Sequence, residues 1–215
     1  GFVANISASN GESSSSFSMN LFAIVFVPMM AGYVYAYLVS YDNSAFSLHV
    51  LAPIRGTDDR WGRAIGLLVV MLPLVVLGSL FLSYRADHFA TAPLMVAMAV
   101  GMLLNGIGVS AFVDMVISVP APPPGANPFK TPQQSDMFSK GLVRMLIILI
   151  LLATSIPAGI FWIVFAITQS HLWMWVSVAV ALTVGITLFW LGLHLGSRRY
   201  DRYAADTLQR VSAFR

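Results

Sequence analysis

Residues 64–84 read AIGLLVVMLPLVVLGSLFLSY, a run without one charged side chain. A helix needs about 20 predominantly apolar residues to cross the hydrocarbon core of a bilayer, and this run supplies them. The core of a soluble domain could hold one or two such runs. Here five follow one another, at about 18–40, 64–84, 90–117, 141–168 and 172–197, with polar breaks between them. The alternating polar and apolar positions of a membrane barrel are absent. The expected fold class is therefore all-α, a polytopic helical integral membrane protein with about five transmembrane helices.

Composition points the same way. Of 215 residues, 58% are hydrophobic and 10% charged, and the mean hydropathy is +0.79. Soluble domains carry about 25% charged residues, so this chain cannot cover a water-facing surface. The net charge of +3 is small and spread between apolar runs, which argues against nucleic acid as a partner and for membrane lipid. Without cysteine there is no disulfide and no cysteine-held metal or iron–sulfur cluster. The start, GFVANISASNGESSSSFS, lacks the basic region of a signal peptide and reads as an aqueous segment of a processed or incomplete chain.

Basic residues set the orientation. With five spans, residues 1–17, 85–89 and 169–171 share one side, where Arg85 is the sole basic residue. The other side holds 41–63 (Arg55, Arg60, Arg63), 118–140 (Lys130, Lys140) and the amphipathic tail 198–215, with Arg144 just inside the fourth span. Eleven of the 12 basic residues lie on that second face. The expectation is an N-terminus outside and a C-terminus in the cytoplasm of a cell membrane of bacterial inner-membrane type. An outside start with an odd number of spans implies a preceding span if the true N-terminus is cytoplasmic; the alternative is a genuine five-span subunit.

Chemistry-bearing residues are sparse. There is no pair of acids within a span, no histidine cluster with metal-ligand spacing and no glycine-rich phosphate loop. No catalytic, cofactor or metal residue is therefore assigned. Asp114 lies only a few residues before the loop 118–140 and reads as an interfacial acid. His194 stands beside Arg198 and Arg199 and reads as an interfacial polar residue. Gly101, Asn105, Gly106 and Gly108 form a small-residue surface carrying one amide, and Thr183 and Thr187 flank Gly185. Close helix packing accounts for both groups; the functional alternative is a substrate path through Asn105, Thr183 and Thr187. Pro28, Pro73 and Pro157 fall inside spans, as static kinks or hinges. The proline-rich loop 118–140 favours an extended spacer. The tail repeats Tyr200, Ala204, Leu208, Val211 and Phe214 at helical spacing, either as a continuation of the last span or as an interfacial helix.

The segment 41–63, YDNSAFSLHVLAPIRGTDDRWGR, is more structured than a plain connector. Asp42-Asn43-Ser44 can start a short helix that Pro53 stops, and Ile54-Arg55-Gly56 makes a turn. Thr57 can cap the next helix, with Asp58 and Asp59 favourable at its positive end. Tyr41-Asp42-Asn43-Ser44-Ala45-Phe46, then Ala52-Pro53-Ile54-Arg55-Gly56, then Arg60-Trp61-Gly62-Arg63 resemble ATP-binding-cassette exporter permeases with six spans per transmembrane domain. The likeness is centred on 41–75, with Asn43 and Arg63 departing from the family's glycine and Gly-Lys. It implies that the five spans are the second to sixth of that domain, and that 44–52 is a coupling helix. Asp42, Ser44, Phe46, His49, Arg55 and Gly56 would then contact a separate nucleotide-binding ATPase subunit, which would hold ATP and magnesium. A second permease domain would complete the transporter, and the nearly uncharged spans favour a hydrophobic or amphipathic substrate. Gln169–His171 is too short for the family's outer hairpin between its last two spans. Two other readings stay open: a non-transporting scaffold or accessory subunit, and an intramembrane enzyme or proton-coupled carrier using Asp114.

Overall fold

The computed structural model describes residues 12–38, 55–85, 89–113, 137–168 and 170–212. Among these residues all regular structure is helical: α1 (Glu12–Tyr33), α2 (Gly56–Arg85), α3 (Ala92–Val113), α4 (Met137–Thr168) and α5 (His171–Ser212). Short 3-10 turns follow α1 at Val34–Tyr37 and precede α3 at Phe89–Thr91. Four helical stretches are long and apolar enough to cross a membrane: Gly56–Arg85, Phe89–Val113, Met145–Phe165 and His171–Asp201. Five spans are expected from the sequence; the first is represented by a shorter apolar stretch, Ala23–Ala36, within α1 and its 3-10 turn.

Helix ends depart from the apolar runs in an instructive way. α2 begins at Gly56, next to the expected Thr57 cap and well before the apolar run at residue 64, so Asp58, Asp59, Arg60 and Arg63 form its first turns. α4 begins at Met137, and α5 continues without a break into the tail, to Ser212. Hydropathy marks where lipid contact stops, whereas the backbone ladder stops only where its hydrogen bonds do. Of the tail's two expected forms, the described residues take the continuation of α5. The loop 118–136, Asp114 and the segment 39–54 lie outside the described residues.

α3 is the central helix. Its apolar window is 67% buried, against 11% for α2 and 17% for α4. It packs most extensively on α5, then on α1. Paired residues give the directions. Gly101 meets Ala181, Gly108 meets Leu188 and Gly192, and Ala111 meets Gly196, so α3 and α5 run parallel. Asn105 reaches Thr154 and Ser155 reaches Met102, so α4 runs opposite to α3. Ser83 near the end of α2 lies 3.2 Å from the Met95 sulfur near the start of α3, so α2 is also reversed.

The α3–α5 contact depends on missing side chains. A Cβ at Gly101 would lie 2.6 Å from the Ala181 carbonyl oxygen, and one at Gly185 would lie 2.7 Å from the Gly101 carbonyl oxygen. A Cβ at Gly192 would run into the Gly108 backbone, and one at Gly108 into the backbone of Leu188 and Phe189. Lipid tails are as apolar as leucine, so helices in a bilayer gain little from hydrophobicity on meeting. Close backbone packing supplies the attraction instead.

Candidate functional site

Apart from Arg85, the charged residues of α2 and the described charged residues of α5 lie at the end of the bundle where α2 begins and α5 leaves its apolar part. The start of α2 is set by the Arg55 carbonyl, which accepts from the Asp58 and Asp59 amides at 3.0 and 3.2 Å. Thr57, the expected cap, lies inside the first turn, with its hydroxyl 3.4 Å from Asp58 Oδ1. A helix start leaves backbone N–H groups without intrahelical partners. One of them is satisfied from across the bundle: the Gly56 amide donates to Asp201 Oδ1 at 2.8 Å. The carboxylate also faces the positive end of the α2 dipole. Gly56 permits this approach, since a Cβ there would stand 2.6 Å from the Ser197 carbonyl oxygen and 3.0 Å from Tyr200 Cβ.

One turn further, α2 carries charge into the protein. Arg60 is fully buried at 0% exposure, and Asp59 is buried at 7%. Arg63 donates from Nε to Asp59 Oδ1 at 3.0 Å and places Nη2 2.9 Å from the same oxygen. Arg60 Nε lies 3.7 Å from Asp59 Oδ2. The carboxylate thus stands between two guanidinium groups. Arg60 also lies over the Tyr200 ring, 5.6 Å from its centroid, in cation–π geometry. The Tyr35 hydroxyl, in the 3-10 turn that follows α1, donates to the Arg60 carbonyl at 2.9 Å. Trp61 meets Phe189 edge-on at 5.6 Å. The first turns of α2 are in this way fastened to α1 and α5 together.

Of the residues assigned to coupling, Asp42, Ser44, Phe46 and His49 lie outside the described residues. Arg55 is exposed and Gly56 is buried at this junction. Asp59, Tyr35, Tyr200 and Asp201 complete it and were not singled out by the sequence for that role. The run Asp58-Asp59-Arg60 before an apolar stretch was the available signal.

A second polar group lies deep in the bundle. Asn105, 2% exposed, donates from Nδ2 to Thr154 Oγ1 at 2.8 Å, and the Thr154 hydroxyl donates to the Leu151 carbonyl at 2.9 Å. Ser155 donates to the Met102 sulfur at 3.0 Å. Thr183 and Thr187 are exposed on α5, so the structure does not gather the residues expected to line a substrate path. Asn105 acts here as a tie between α3 and α4. His194 stacks on Trp190 at 5.1 Å, and His171 is exposed at the start of α5. Among the described residues no three His, Cys, Asp or Glu side chains gather as a metal site would require.

Comparison with family models, with curated proteins and with solved structures finds no match to this chain.

Proposed function

We propose that this chain is a membrane-spanning permease subunit, or part of one, of an ATP-driven exporter in a cell membrane of bacterial inner-membrane type. One observation supports this reading above the others. The segment 41–54 leads directly into a helix start fastened to the end of the first helical segment and to α5 by a cap from Asp201, a Tyr35 hydrogen bond and the Arg60–Tyr200 contact. A push on a slack loop would be absorbed locally. Here it reaches α2, and through the junction α1 and α5, because neither the cap nor the buried charges can be given up cheaply.

On this reading a separate ATPase subunit docks on 44–54 with Arg55 beside it, and ATP and magnesium stay on that subunit. A second permease domain, from another copy or a related chain, completes the transporter. Transport requires two bundle states with different contacts to the ATPase; the arginine-rich end is where those contacts would differ, and it faces the cytoplasm. A hydrophobic or amphipathic substrate suits the nearly uncharged spans.

The test is co-purification with the cognate ATPase subunit from membranes. Replacing 44–54 with a Gly/Ser linker should abolish recovery of the ATPase while leaving the unfolding temperature in detergent unchanged. Substitution of Arg85 and His171, at the opposite end, should leave recovery intact. Equal recovery from all three proteins would overturn the coupling role.

A further inference from the structure

The tie between α3 and α4 leaves hydrogen-bonding capacity unused. A buried amide offers two N–H donors and an oxygen with two lone pairs. Asn105 makes one good bond, from Nδ2 to Thr154 Oγ1 at 2.8 Å. Its second N–H has the Leu151 carbonyl at 3.4 Å, beyond the range of about 2.7–3.2 Å for a well-formed bond. Oδ1 has one donor in reach, the Thr154 hydroxyl at 3.1 Å. That hydroxyl carries a single proton, and the Leu151 carbonyl competes for it at 2.9 Å. The same carbonyl also accepts from Ser155 at 2.7 Å. Donors therefore crowd on Leu151 while the Asn105 oxygen is under-served. Buried polar atoms are nearly always paired, with protein or with ordered water.

A small cavity lies against this amide. Met98, Met102 and Asn105 line it from α3, Thr154 and Ser155 from α4, and Ala181 from α5. Its volume is about 10 Å³, at the low end of the roughly 10–15 Å³ that one water molecule requires. Nothing larger fits, and the polar lining separates it from the apolar cavities that stay dry. We infer that this cavity holds one ordered water bonded to the Asn105 amide. The water donates one hydrogen to Asn105 Oδ1. Its second hydrogen goes to the Ala181 carbonyl, which comes close because Gly101 has no side chain: a Cβ there would stand 2.6 Å from that oxygen. A helix carbonyl keeps a second lone pair beside its ladder bond. The water accepts in turn from the Ser155 hydroxyl, whose alternative to Leu151 is the Met102 sulfur at 3.0 Å, a weak acceptor. Three partners are the usual number for a buried water. The tie between α3 and α4 thereby extends to α5. The inference does not rest on an ATPase partner.

The experiment is radiolytic footprinting of the full chain in phosphatidylcholine nanodiscs. A brief X-ray pulse makes hydroxyl radicals from water where it stands, bound water included, and mass spectrometry maps the oxidised side chains. The probes are already present. Met29, Met98, Met102 and Met174 are all buried, and of these Met98 and Met102 line the cavity. Oxidation of Met98 and Met102 should stand well above that of Met29. Asn105→Leu, close in size and without the amide, should bring both down to the level of Met29 and leave Met174 unchanged. Oxidation of Met98 and Met102 no greater than that of Met29 in the unsubstituted chain would overturn the water site. So would oxidation that persists undiminished in Asn105→Leu. The map of the unsubstituted chain gives its answer even where Asn105→Leu fails to fold.

Discussion

Asp58 and Asp59 are neighbours in sequence and opposites in the fold. Asp58 is exposed, whereas Asp59 is buried between the guanidinium groups of Arg60 and Arg63. Removing one member of a buried charged group leaves the others desolvated without compensation, which costs about 3 kcal/mol. Asp59→Ala should therefore lower the unfolding temperature in detergent markedly, and Asp58→Ala should leave it almost unchanged. Asp201→Ala removes a cross-bundle cap and should cost about 1 kcal/mol. Equal shifts for Asp58→Ala and Asp59→Ala would show that the pair contributes no more than surface charge. The sequence shows both acids as complements to a positive helix end. It does not say which one turns inward, because a helix rotates about 100° per residue and its rotation is fixed by α1 and α5. The cap from Asp201 was equally hidden, lying 145 positions from Gly56.

At the scale of elements, glycines of identical chemistry divide by position. Gly192 abuts the Gly108 backbone, whereas Gly62, Gly66 and Gly78 on α2 meet nothing within 4 Å. Gly192→Val should force α5 away from α3 and cost about 2 to 3 kcal/mol, as overpacking does. Gly66→Val should be tolerated, since its side chain would project into open space. Unfolding of the two variants in one detergent separates them; a Gly192→Val protein as stable as the unsubstituted chain would mean that the close crossing contributes nothing. The sequence marks Gly101, Asn105, Gly106 and Gly108 as a packing surface, and the structure uses them so: Gly101 and Gly108 face α5, while Gly106 faces Gly32 of α1. What it could not supply was the partner of each face. Nor could it place Thr183 and Thr187 on the exposed side of α5, since hydroxyls suit lipid-facing turns by bonding back to their own helix as readily as they suit interfaces.

Across the whole molecule, the helices and their alternating directions follow from the lengths of the apolar runs and the breaks between them. The unequal burial of the helices does not. α3 is enclosed, while α2 and α4 present most of their surface outward. α2 compensates with the charged junction at its start. α4 has no such junction among its described side chains; it packs on α5, including Phe161 stacked on Trp173 at 6.0 Å, and reaches α3 through Asn105–Thr154 and Ser155–Met102. Interhelical hydrogen bonds inside membrane proteins average about 0.6 kcal/mol in double-mutant cycles, so this tie is strong enough to position α4 and weak enough to be broken in a working cycle. Asn105→Val, Thr154→Val and the double substitution should show a coupling of about 1 kcal/mol in unfolding from lipid. A coupling near zero would mean that α4 is placed by shape alone. If the chain is a permease, the same single substitutions should alter transport more than they alter binding of the ATPase, because Asn105 is buried between α3 and α4 and makes no bond to the junction residues. An effect on ATPase recovery as large as that of replacing 44–54 would contradict a division of labour in which the junction receives force and the α3–α4 tie responds to it.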